Sequence, residues 1–136
     1  MSDVAAELRW RGQGLEFDAV TPRGHEVLID SGGASGPSPV QLLLFSLASC
    51  TAIDIVDITT KMRVELAGLE VAIEGDRAAE PPRRFTSIRV VYRVRGVTAE
   101  NHDKVRRALA LSEDKYCSVR HTLATDLELS SALEFA

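Results

Sequence analysis

Cys50 and Cys117 are the residues in this 136-residue chain best suited to chemistry, and they are its only cysteines. Cys50 sits inside the long apolar run from Pro39 to Val56. Cys117 closes the phrase Ser112-Glu113-Asp114-Lys115-Tyr116-Cys117. They are distant in sequence, so only the fold can bring them together. If it does, the chain carries a dithiol that can reduce an oxidant and close a disulfide. If it does not, both are small hydrophobes of the kind that ordinarily pack in cores. Burial raises a thiol pKa and opposes reactivity, so a working Cys50 thiolate needs a nearby cation. Asp54, one helical turn on, shares the Cys50 face of a helix. A carboxylate there disfavours the thiolate unless an arginine stands between them. Arg9, Arg11 and Arg23, from the amino-terminal segment, are the candidates for that cation, and all three stay open. Asp54 and Asp57 either serve the site or form the one solvated stripe of their helix. Cys117 is expected near a helix end and partly accessible, with Arg120 and His121 close behind it.

The elements that must position these residues belong to one domain, residues 1–136, by length. At 45% hydrophobic and 26% charged the composition is that of a soluble globular protein, and a net charge of −4 argues against nucleic acid as a partner. The opening Met1-Ser2-Asp3-Val4-Ala5-Ala6-Glu7 has neither the basic nor the apolar region of a signal peptide. Ser46, Ser49, Asp54 and Asp57 interrupt the apolar run, which argues against a membrane span. A cytoplasmic location follows, and there a cysteine pair is more often metal-binding or redox-active than structural. Two cysteines and His25, His102 and His121, scattered on turns or at the surface, provide no zinc spacing. The Gly-rich stretch from Ser31 to Pro39 lacks the lysine and spacing of a phosphate loop, so no cofactor is expected.

Residues 7–18 read as a hairpin turning at Gly12-Gln13-Gly14, followed by a strand at Glu26–Asp30. Ser38 reads as an N-cap and Pro39 as the first residue of a helix running to about 62. That helix is apolar almost all round, the pattern of a buried central helix. Strands follow at 66–74 and 85–94, the second with Ile88, Val90, Tyr92 and Val94 on one face. A second helix opens at Thr98 with Val105, Ala108 and Leu109 inward, and a last strand is expected at 123–129. The order β-β-β-α-β-β-α-β defines an α+β chain.

Three stretches carry a resemblance. Gly36-Pro37-Ser38-Pro39-Val40-Gln41-Leu42-Leu43-Leu44, Leu47-Ala48-Ser49-Cys50-Thr51-Ala52-Ile53-Asp54 and Lys115-Tyr116-Cys117 resemble the OsmC/Ohr family of thiol-dependent peroxide reductases. Trp10-x-Gly12, Phe17 and Pro22-Arg23-Gly24-His25 fit the same family, so the likeness spans nearly the whole chain. Ala52-Ile53-Asp54 after the cysteine is more similar to the general OsmC-like branch, which includes the YhfA-type proteins, than to the organic hydroperoxide resistance branch. The resemblance implies an intertwined homodimer in which strands of one subunit extend the sheet of the other. Long central helices pack between two sheets, and the active sites lie at the subunit interface. It implies Cys50 as the thiol that attacks peroxide and Cys117 as the thiol that resolves the sulfenic acid to a disulfide, which a dithiol reductant of lipoyl or other type reopens. Two positions depart from the family pattern. Val40, with Gln41 beside it, stands where peroxidase branches carry a glutamate that holds an arginine over the thiolate. Ser118 follows the second cysteine where proline is common. Gln41 and Asp54 are therefore supporting candidates alongside the arginines, with Asp54 able to supply the missing carboxylate. The alternative implied is a homologue that keeps the fold and binds a small molecule in the apolar interface cleft.

Overall fold

The computed structural model describes residues 2–136. The chain is α+β, with elements β1 (Glu7–Trp10), β2 (Glu16–Val20), β3 (Glu26–Asp30), α1 (Pro39–Lys61), β4 (Gly68–Arg77), β5 (Phe85–Arg95), α2 (His102–Leu111), α3 (Ser118–Thr122) and β6 (Glu128–Phe135). A 3-10 turn at Ala99–Asn101 leads into α2, and a π-helical turn at Ser112–Tyr116 joins α2 to Cys117. Its contacts divide it into two compact units whose boundary, between Leu43 and Leu44, falls inside α1.

The amino-terminal unit is an antiparallel meander in the order β1-β2-β3. Gly12 and Gly14 both have positive φ in the β1–β2 turn, where side chains are disfavoured. After β3, Asp30 folds the following loop on itself: its carboxylate accepts the N–H groups of Gly32 and Ser35, each at 3.0 Å. Those bonds hold Asp30 below the usual carboxylate range. The start of α1 is a capping box. Ser38 Oγ accepts the Gln41 N–H at 3.3 Å, and the Gln41 side-chain oxygen accepts the Ser38 N–H at 3.0 Å.

The second unit is a sheet in the order β4-β5-β6, antiparallel between β4 and β5 and parallel between β5 and β6. The alternation of β5 works as its sequence pattern demands, with Ile88, Val90, Tyr92 and Val94 all buried. Helix α1 contributes Leu47, Ala48, Thr51, Ile55 and Thr59 to the core, and α2 contributes Val105, Ala108 and Leu109. By length and composition α1 is able to cross a membrane, but this face is buried within the protein.

Three expectations are corrected. The last strand lies at Glu128–Phe135 rather than 123–129, and residues 118–122 form α3 instead. Ser130 and Ser131 break the apolar alternation of β6, while Leu123 and Leu127 supply a false one. Helix α1 is not buried all round: Phe45, Ile53 and Val56 are 59%, 66% and 48% exposed. These positions, with Ser49 and Thr60, form one stripe at helical spacing opposite the buried face. Cys117 is fully buried rather than partly accessible.

Candidate functional site

Cys50 lies on α1 at the border between its buried face and its exposed apolar stripe, and is half-buried. Cys117 directly follows the π-helical turn, whose last bond runs from the Cys117 N–H to the Ser112 carbonyl at 2.9 Å. The extra residue that a π turn inserts is a feature often found at functional sites. Cys117 is in turn the N-cap of α3, with its Sγ accepting the Arg120 backbone N–H at 3.3 Å. The fold thus brings the two thiols together. The Cys50 thiol interacts with the Cys117 side chain and with the backbone N–H groups of Ser118 and Val119.

These contacts act on Cys50 in opposite directions. Burial is the largest influence and pushes its thiol above the ordinary value. The Val119 N–H, which stabilises a thiolate, pulls it down. The Cys117 side chain pushes it up again, and the Ser118 N–H adds a smaller pull downward. The net direction is up, so the thiol dominates at neutral pH in the isolated chain.

Asp54 does not face solvent alone. Its Oδ2 accepts a 2.8 Å hydrogen bond from Ser112 Oγ, and Ser112 is fully buried. Asp57 by contrast is exposed and pairs with Lys61 at 2.8 Å, one turn along the same helix. Of the two aspartates, Asp57 therefore lies on a solvated stripe and Asp54 ties α1 to the turn that carries Cys117.

A second cluster lies around Cys117. Glu113 Oε2 accepts Arg120 Nη1 at 3.3 Å and Ser131 Oγ at 2.9 Å. Tyr92 is 2% exposed, and burial pushes its phenol up to about 12, while a hydrogen bond with the Thr51 hydroxyl pulls the other way. His121 bridges two carbonyls of the same segment, with Nδ1 2.8 Å from the Cys117 oxygen and Nε2 3.2 Å from the Asp114 oxygen. A neutral imidazole donates to only one of them at a time.

The remaining sequence candidates belong to the amino-terminal unit. Arg9 is exposed and pairs with Glu7 at 2.7 Å. Arg11 binds Asp18 with two nitrogens, at 3.1 and 2.9 Å, and holds that carboxylate below its usual range. Arg23 is exposed in the β2–β3 turn. Gln41 closes the capping box described above. Sequence reading did not single out Ser112, Glu113, Ser131, Thr51 or Tyr92 as site residues. Thr51 adjoins Cys50 and Ser112 opens the Cys117 phrase, but their partners come from other elements and follow only from the fold.

Comparison with known proteins gives a consistent picture. A family model described as OsmC-like protein matches residues 32–131. The chain is 35% identical over 132 residues to Protein YhfA of Escherichia coli K12, covering 96% of this chain and 97% of that protein. Among solved structures it is similar to a hypothetical protein from Aquifex aeolicus, with a TM-score of 0.88, 26% identity and coverage of 100% and 98% of the two chains. The fold is also that of an organic hydroperoxide resistance protein OsmC from Legionella pneumophila. That likeness has a TM-score of 0.67, 15% identity and 98% coverage of both chains.

Proposed function

We propose that this chain, which belongs to the OsmC-like protein family, is a thiol-dependent peroxide reductase that uses Cys50 and Cys117 as its redox pair. The observation that carries this reading is the meeting of the two thiols with unequal exposure. The half-buried sulfur, Cys50, attacks the peroxide. Its thiolate attacks the terminal oxygen of the peroxide, forming an S–O bond as the O–O bond breaks. Cys50 becomes a sulfenic acid, and the alkoxide or hydroxide released takes a proton from solvent. The sealed sulfur, Cys117, then attacks the sulfenic sulfur, forming the disulfide and releasing water. An external dithiol reduces the disulfide back to two thiols and is itself oxidised. The Ser118 and Val119 N–H groups support the first step by donating to the Cys50 thiolate.

The exposed apolar stripe on α1 supports a homodimer. Ala52, Ile53, Val56, Asp57, Thr60 and Leu69 line an open, largely apolar groove of ≈ 520 Å³ on this helix. A second subunit covering this stripe would bring Cys50, which borders it on α1, to an interface and add side chains that the isolated chain does not offer. We place the protein in the cytoplasm, where a reversible dithiol is maintained by cellular reductants.

One observation favours a second reading. The net upward push on the Cys50 thiol, together with Val40 in place of the family glutamate, suits a homologue that binds a small apolar molecule in that groove and turns over slowly. Stopped-flow mixing of the reduced protein with cumene hydroperoxide or hydrogen peroxide, followed by a dithiol reductant, separates the two. The first reading expects catalytic peroxide consumption that Cys50→Ser abolishes and Cys117→Ser limits to one turnover, leaving a dimedone-reactive sulfenic acid. No consumption, or equal residual activity in both variants, overturns it in favour of the second.

A further inference from the structure

The Asp54–Ser112 hydrogen bond joins two elements that otherwise carry one thiol each. Asp54 is one turn beyond Cys50 on α1, on the same face. Ser112 opens the π-helical turn, and its carbonyl accepts the Cys117 N–H at 2.9 Å. The bond itself is 2.8 Å long, and its donor is wholly buried. From the Asp54 carboxylate, one side-chain hydrogen bond and one backbone hydrogen bond therefore reach Cys117. The same turn is anchored on its other side by Glu113, through Arg120 and Ser131.

We propose that Asp54 and Ser112 are positioning residues: their hydrogen bond holds the turn carrying Cys117 in register with the helix carrying Cys50, and so favours closure of the dithiol to a disulfide. This rests on the two-thiol reading above, but it assigns Asp54 a different part from an arginine anchor for the Cys50 thiolate. Asp54 acts through Ser112 on the geometry of the second sulfur. A disulfide tolerates only a narrow range of Cα separations and dihedral angles. An unanchored turn samples many arrangements outside that range. Holding it in the reduced protein lowers the entropy that closure must still remove, so the closed form is favoured.

The test is the equilibrium of the protein dithiol with glutathione, which needs no peroxide. In it, the two protein thiols are oxidised to the disulfide while one oxidised glutathione is reduced to two glutathione thiols. The fraction closed is read by mass spectrometry after acid quench and alkylation, with thermal melting to check that each variant is folded. Ser112→Ala and Asp54→Ala are expected to lower the closure constant by about three- to ten-fold, the worth of one net hydrogen bond. The double variant is expected to lower it no further, because each removes the same bond. Asp54→Asn keeps an oxygen that accepts the Ser112 hydroxyl and is expected to recover most of the wild-type value. Asp103→Ala, which removes a surface pair with Arg106 on α2, is expected to leave it unchanged. Equal closure in wild type and the folded alanine variants overturns the proposal while leaving the two-thiol reading in place. A fall in Asp54→Asn as large as in Asp54→Ala overturns it too, since charge and not register then matters. A wild-type protein that forms no Cys50–Cys117 disulfide overturns both. Should Ser112→Ala not fold, Asp54→Ala against Asp54→Asn decides alone.

Discussion

The Cys117 sulfur is sealed from solvent, and the Cys50 sulfur that it meets is only half-buried. An alkylating reagent added to the reduced native protein should therefore label Cys50 well before Cys117, and peptide mapping after short exposure reads the order directly. The pH dependence follows from the upward push on Cys50. A raised thiol pKa keeps the protonated form dominant in the folded protein. That preference is complete below the pKa of an unfolded cysteine, about 8.5, and is lost as pH rises through the folded value. Alkylation needs the thiolate, so its rate should still be climbing above that pH. A rate already flat below pH ~7 would mean that a cation activates Cys50.

Tyr92 offers a second titration. Its phenol is pushed up to about 12 by burial, so the folded state favours the protonated form. The associated stability is fully present below the unfolded tyrosine value of about 10 and is lost as pH rises through the folded value. A late step in the 295 nm absorbance should vanish in Tyr92→Phe, and that variant should lose less stability between about pH 10 and 12 than wild type does. The difference expected is on the order of 2 kcal/mol. Urea unfolding at each pH measures it.

The parts of the fold readable in advance were those where local pattern and tertiary packing agree. Ser38 and Pro39 mark the start of α1, and Ile88 to Val94 alternate along β5 as buried residues. The buried positions of α2 follow its period. The failures have specific causes. Ser112-Glu113-Asp114-Lys115 reads as a polar, exposed helix end. Yet Ser112 is buried, and Glu113 has its carboxylate held by Arg120 and Ser131, so Cys117 is drawn inward behind them. A π turn carries no local signal to announce this. Both thiols were legible as candidates because they are unique in the chain. The partner of Asp54 was not, because the Ser112 hydroxyl reaches it only through long-range packing.

The outer stripe of α1 bears on assembly. Ile53 is 66% exposed and Val56 48% in the single chain. Ile53→Glu should therefore leave the subunit fold intact. If the stripe is a subunit interface, the same change buries a carboxylate against apolar groups at a cost of several kcal/mol. Sedimentation should then show the dimer of the wild type replaced by monomer at micromolar concentration, with the far-UV circular dichroism unchanged. Unaltered mass for Ile53→Glu would remove this face from the interface.

Ser118 stands where the resemblance implies proline, and the backbone there is ready to accept one. It is the first residue of α3, the helical position that proline tolerates best, because an N–H there has no helical partner. Cys117 before it has φ −72° and ψ 101°, the extended conformation that a following proline requires. Ser118→Pro should therefore fold. What it removes is the N–H that donates toward the Cys50 sulfur, one of the two backbone groups that pull its pKa down. Proline has no such donor. The pKa of Cys50 should rise further, and at fixed pH its alkylation should slow by about three- to ten-fold, a loss comparable to one net hydrogen bond. Ser118→Ala keeps the amide and should match wild type, which separates the backbone donor from the hydroxyl. Faster alkylation in Ser118→Pro, or slowing in Ser118→Ala alone, would contradict the idea that this amide supports the thiolate.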